Sequence, residues 1–147
     1  MNNIRYIFFG VIVVAIVLIF SVLIFDWGRR SNVFISDQDG DVMVYSPKIN
    51  SAITNGIVKI SGTAKGTWYF EASFPIQIQD SEGNVLATGT ATALSDWMTE
   101  NPVPFSSDIL FFASTTTNYG KIVLKNDNPS GDPTKDKFFE VPVSFNK

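Results

Sequence analysis

Residues 6–25, YIFFGVIVVAIVLIFSVLIF, run for twenty positions without a charge. At 1.5 Å per helical residue that length spans about 30 Å, the thickness of a hydrocarbon core. A lone span in lipid must satisfy every backbone group internally, and a helix does so. The many Val and Ile residues, a handicap for a helix in water, matter less there. The segment is read as a membrane-spanning helix behind a short tail at 1–5. A buried helix of a soluble core is the poorer reading, because the rest of the chain is too small to surround it. The run is longer than the apolar region of a cleaved leader, and SVLIFDWGRR has no small-x-small cleavage site. There is no cysteine for lipid attachment. The expectation is an uncleaved anchor, with Tyr6 and Trp27 at its two interfaces. Arg5 precedes the span, and Arg29 and Arg30 follow it. A count of Lys and Arg would place the C-terminal side inside.

Residues 26–41 are read as a polar linker and 42–147 as one domain. Of the 14 acidic residues only Asp26 precedes residue 33, which leaves 13. Of the 11 basic residues Arg5, Arg29 and Arg30 precede it, which leaves 8, all Lys. Arg is the preferred group for bidentate phosphate and guanine contacts, so an acidic domain without it is a poor nucleic-acid binder. The absence of His and Cys excludes the usual zinc sites, Ser-His-Asp triads and Cys-His dyads built from this chain alone. No cofactor and no enzymatic activity are expected.

Turn signals break the domain at short intervals, with strand-like runs between them. Strands are predicted at 42–45, 57–64, 74–80, 85–92, 105–113, 121–125 and 138–145. Asn55-Gly56, the stretch DSEGN at 80–84 and NDNPSGDP at 126–133 supply turns. Pro102 and Pro104 are assigned to a loop around Trp97. Pro142 places its strand at an edge or a bulge. About seven strands at spacings near ten residues, with no amphipathic helix, predict an all-β, antiparallel sandwich. Phe fills many of the inward positions, and without disulfides apolar burial must carry the stability.

The order of several short elements resembles a known family. These are Ser46-Pro47, then Ser61-Gly62-Thr63-Ala64, then Phe70-Glu71-Ala72. An Asp80-x-x-Gly83 turn, a small-residue strand and a closing Val141-Pro142-Val143 follow. Residues 42–146 are similar to the immunoglobulin-like domain of bacterial spore germination, Gmad2. The resemblance implies an immunoglobulin-like sandwich displayed outside the cytoplasmic membrane, with a binding or structural role and no catalytic residues. It places the C-terminal domain outside. The apolar run makes the membrane one partner, and the resemblance suggests an envelope protein or wall polymer as another; service as an accessory to an envelope enzyme is an alternative.

Glu71 stands among aromatics. As a catalytic acid it would need a second group across the substrate, and the spacing of Asp80 and Glu82 suggests no such pair. The favoured reading is a structural staple, accepting backbone N–H bonds or meeting Lys59 or Lys65, because a buried carboxylate must be paired or hydrogen-bonded. Asp37, Asp39 and Asp41 alternate around Gly40 as calcium loops begin. However, Lys48 stands where such a loop wants its bidentate Glu, and the Gly is in fourth place, not sixth. A solvated acidic linker is the favoured reading. Trp68, Tyr69 and Trp97 could form a platform for glycan. The favoured reading points Trp68 and Phe70 inward and Tyr69 outward, with Trp97 capping one end of the core. The polar loops at 113–120, carrying Tyr119, and 126–137 are further contact surfaces.

Overall fold

The computed structural model describes residues 35–36, 39–114 and 116–146. The expected tail at 1–5, span at 6–25 and most of the linker, Asp37 included, lie outside these residues. Among the described residues no helix is long and apolar enough to cross a membrane.

Nine strands follow one another. They are β1 (Ile35–Ser36), β2 (Val42–Ser46), β3 (Ser51–Thr54), β4 (Gly56–Lys65), β5 (Ser73–Asp80), β6 (Val85–Ala93), β7 (Pro102–Phe111), β8 (Tyr119–Lys125) and β9 (Phe138–Asn146). They hydrogen-bond in the order β1-β2-β4-β7-β6-β5-β8-β9-β3. All neighbours are antiparallel except β3 and β9. The β6–β7 link is short, pairing Thr92 with Ser106 and Ala93 with Phe105. Across that hinge the sheet folds over on itself. Phe74 of β5 meets Phe105 of β7 edge-on with ring centroids 5.1 Å apart, and Phe111 of β7 meets Phe145 of β9 at 5.3 Å. Neither pair belongs to neighbouring strands, so β1-β2-β4-β7 and β6-β5-β8-β9-β3 are two facing layers. The architecture is the expected antiparallel sandwich.

Strand phase decides what each layer buries. In β7 the alternation is unbroken: Val103, Phe105, Ser107, Ile109 and Phe111 point in, while the residues between them point out. Ile76 and Ile78 of β5, Ile122 and Leu124 of β8, and Phe139, Val141 and Val143 of β9 close the core from the other layer. Burying one such side chain is worth about 1.5–3 kcal/mol. The small residues of β6 have a packing reason. Gly89 lies under Ile109 of the facing layer, and a Cβ there would stand 2.7 Å from Ile109 Cδ1.

Each of the seven predicted strands is present, with no end shifted by more than three residues. Two short strands, β1 and β3, were not foreseen. Ser51–Thr54 is only four residues long with Ile53 alone buried, and it exists through parallel pairing with β9. Pro102 and Pro104 belong to β7 rather than to the loop before it. The Pro104 carbonyl accepts from Leu94 N at 2.8 Å, on the β6 side. A strand residue's N–H and C=O point the same way, so the donor missing at Pro104 is missing from the β6 side and costs no bond to β4. Pro142 follows the same logic. Its carbonyl accepts from Asn50 N at 2.8 Å, just ahead of β3, so its nitrogen faces the rim where β3 has yet to begin.

Candidate binding face

The outward positions of β5, β8 and β9 form one surface. Gln77 stands opposite Val123 and Gln79 opposite Lys121 across β5–β8. Val123 is opposite Glu140, Lys125 opposite Phe138 and Tyr119 opposite Ser144 across β8–β9. Cross-strand partners share a face, so these residues lie together. A groove of about 360 Å³ runs over them, lined by Pro75, Gln77, Gln79, Val123, Lys125, Phe138 and Glu140. Val123 is its buried floor, and Phe138 is 57% exposed.

The polar groups of this face are ordered. Gln79 Nε2 donates to Gln77 Oε1 at 2.8 Å. Lys121 Nζ meets Glu140 Oε1 at 2.6 Å, and Lys125 Nζ meets Asp136 Oδ2 at 3.0 Å. Lys125 also lies 5.3 Å from the Phe138 ring centroid, a cation–π contact. The 126–137 loop supports this end. Asn126 is buried and fixes the loop's return, its Nδ2 donating to Lys135 O and its Oδ1 accepting from Lys137 N. Asn128 Nδ2 donates to Asp136, and that bond, with the Lys125 ammonium, holds the Asp136 carboxyl below its ordinary value. Glu140 is the single acid among the residues lining the groove.

A second polar cluster ties the start of the domain to its end. The Asp41 side chain is only 6% exposed and meets Lys65 Nζ and Lys137 Nζ, each at 2.6 Å. The Lys137 bond, then the Lys65 bond, hold its carboxyl below the ordinary value, outweighing the opposing effect of burial. Asp41 O also accepts from Lys65 N. The reading of Asp41 as part of a solvated acidic linker is therefore corrected. Both its oxygens face ammonium groups, and the residue belongs to the body of the domain. Among the described residues no group of three or more acids could hold a metal ion.

The family model for the immunoglobulin-like domain of bacterial spore germination, Gmad2, matches residues 41–132. The chain belongs to this family. Among curated proteins and among solved structures nothing matches it. The Gmad2 match begins at Asp41 and ends within the loop after β8, so it stops short of the expected residue 146. β9, with Phe138 and Glu140, lies beyond it.

The short elements that carried the Gmad2 resemblance have structural work to do. Gly62 of the Ser61–Ala64 segment sits beneath Phe105, where a Cβ would fall 2.8 Å from the ring and collide with Met43 O. Asp80, buried at the end of β5, accepts from Glu82 N, Asn84 N and Asn84 Nδ2 and so closes the β5–β6 turn. Its oxygens are engaged there, and it forms no pair with Glu71.

Phe70-Glu71-Ala72 is a tight turn. Phe70 and Ser73 exchange backbone bonds of 3.0 and 3.1 Å, and Glu71 and Ala72 between them have φ of 50° and 61°. Two consecutive positive φ values make a type I′ hairpin turn, normally built from Asn and Gly. Glu71 is exposed. The expectation of a buried carboxylate stapling its neighbours is corrected: that arrangement belongs to Asp41, and what distinguishes Glu71 is its main chain.

The aromatic platform is corrected as well. Trp68 and Tyr69 are both buried, stacked edge-on against Phe74 at 5.9 and 5.0 Å. Tyr69 Oη donates to Val103 O at 2.9 Å, and burial pushes the phenol pKa up. Phe70, expected inside, is exposed. Trp68 closes a short 3-10 helix at Gly66–Trp68, and a helical turn breaks the two-residue alternation on which the expectation rested. Trp97 is half-buried and packs against the core. Tyr119 is 69% exposed, on the same outer face as the groove. Gln77, Gln79, Lys125, Phe138 and Glu140 had no signal in the sequence beyond their strand phase. Their meeting depends on the order β5-β8-β9, which the sequence does not state.

Proposed function

We propose that the chain is a membrane-anchored, non-catalytic binding module of the cell envelope. Its domain stands outside the cytoplasmic membrane and contacts an envelope protein or wall polymer through the outer face of β5, β8 and β9. The observation that carries this reading is the groove itself. Its amides, ring and ion pairs are held in order on a face that the core does not need. The apolar run at 6–25 supplies the anchor, and membership of the spore-germination family favours display outside. The acids do not favour hydrolysis: Glu140 faces Lys121, and Asp80 closes a turn. Fractionation tests the placement. The chain is expected with the membranes, and protease added to intact spheroplasts is expected to remove the domain. A domain protected until the membrane is opened would overturn this orientation.

A further inference from the structure

We propose that the β5–β8–β9 groove takes a neutral oligosaccharide, an inference that rests on reading this face as the contact surface. Charge is the first argument. Lys121 is paired with Glu140 and Lys125 with Asp136, so a charged ligand would have to break an existing pair. A neutral ligand would not. Hydrogen-bonding capacity is the second. The bond between the two glutamines uses Gln79 Nε2 and Gln77 Oε1, and leaves Gln77 Nε2 as a donor and Gln79 Oε1 as an acceptor outside it. Planar amides of this kind suit the paired donor and acceptor positions of neighbouring sugar hydroxyls.

The rings supply the apolar part. Phe138 offers a stacking surface for the C–H face of a pyranose at one end of the groove. Tyr119 stands on the same face six residues along β8 from Lys125, the partner of Phe138. At about 3.4 Å per residue the two rings are about 20 Å apart, a span for an oligosaccharide and not for a single sugar. An extended peptide fits less well. Peptides that bind sheets add to an edge, where backbone groups wait for partners. On this face the backbone of β8 is already paired on both sides.

The probes are chitotetraose and cellotetraose, titrated calorimetrically into the full chain in detergent, with polygalacturonate as a charged comparator. At least one tetrasaccharide is expected to bind saturably, with little dependence on salt. Phe138→Ala and Gln77→Ala should each weaken it about tenfold at unchanged melting temperature, a loss of 1.4 kcal/mol. Tyr119→Ala should weaken the tetrasaccharide. Binding of neither tetrasaccharide, binding only of the polyanion, or binding indifferent to Phe138→Ala and Gln77→Ala would each overturn the inference. If the glycans fail while envelope components still crosslink to this face, the ligand class is wrong and the contact surface stands. If crosslinking from this face fails too, the contact surface falls with it.

Discussion

Two single residues hold the local geometry in ways their neighbours do not reveal. Ala72 occupies a backbone region that costs an L-residue roughly 1–2 kcal/mol and glycine nothing. Replacing it removes that cost but loosens the unfolded chain by about 0.4–1 kcal/mol. Ala72→Gly is therefore expected to raise the melting temperature by a few degrees, while Glu71→Gln should leave it unchanged. Calorimetry of both variants checks this. Asp41 behaves in the opposite way. Its folded pKa lies below the ordinary 3.8, so its contribution is present above that value and is lost as pH falls through the folded pKa. Asp41→Asn should cost about 2 kcal/mol at neutral pH, less than a fully buried pair because both lysines remain partly exposed. The gap between variant and wild type should begin to narrow as pH falls below about 4 and close only below the folded pKa. A gap that persists unchanged at pH 2 would show that the carboxylate's charge is not what stabilises. Neither role was legible in sequence. In sequence Glu71 stands out for its charge among aromatics, although its backbone is what matters. Asp41 reads as linker because its partners, Lys65 and Lys137, lie 24 and 96 residues away.

The strands themselves were legible, because alternation with a period of two is written directly in runs such as FPIQIQ and FFEVPVSF. What misled were positions where main-chain direction decides. Pro102 and Pro104 looked like loop residues, yet the donor they lack faces away from β4. Alternation points Tyr69 outward and Phe70 inward, yet they follow a helical turn that buries Tyr69 and exposes Phe70. Gly62 makes the packing within the β2–β4–β7 layer testable at one element. Gly62→Ala would push a methyl into Phe105 and the Met43 carbonyl, in a core with no room to give. The expected loss is about 1–3 kcal/mol, read as a lower denaturant midpoint at unchanged slope. A neutral substitution would mean that β2, β4 and β7 are spaced more widely than described.

At the scale of the whole molecule, the fold is a common scaffold and the function has to be sought on its surface. Two outer faces compete. The β5–β8–β9 face carries the ordered groove. The β4–β7 face exposes Ile57 opposite Leu110, with Phe112 just beyond the end of β7 and the Lys59–Asp108 ion pair beside them. The family match covers β2 to β8, so it includes most of both and does not choose between them. Photo-crosslinking in the native envelope does. A photoreactive residue placed at Gln77 is expected to capture an envelope component, and the same residue at Ile57 is expected to capture none. Capture from Ile57 with none from Gln77 would contradict the assignment of the binding face.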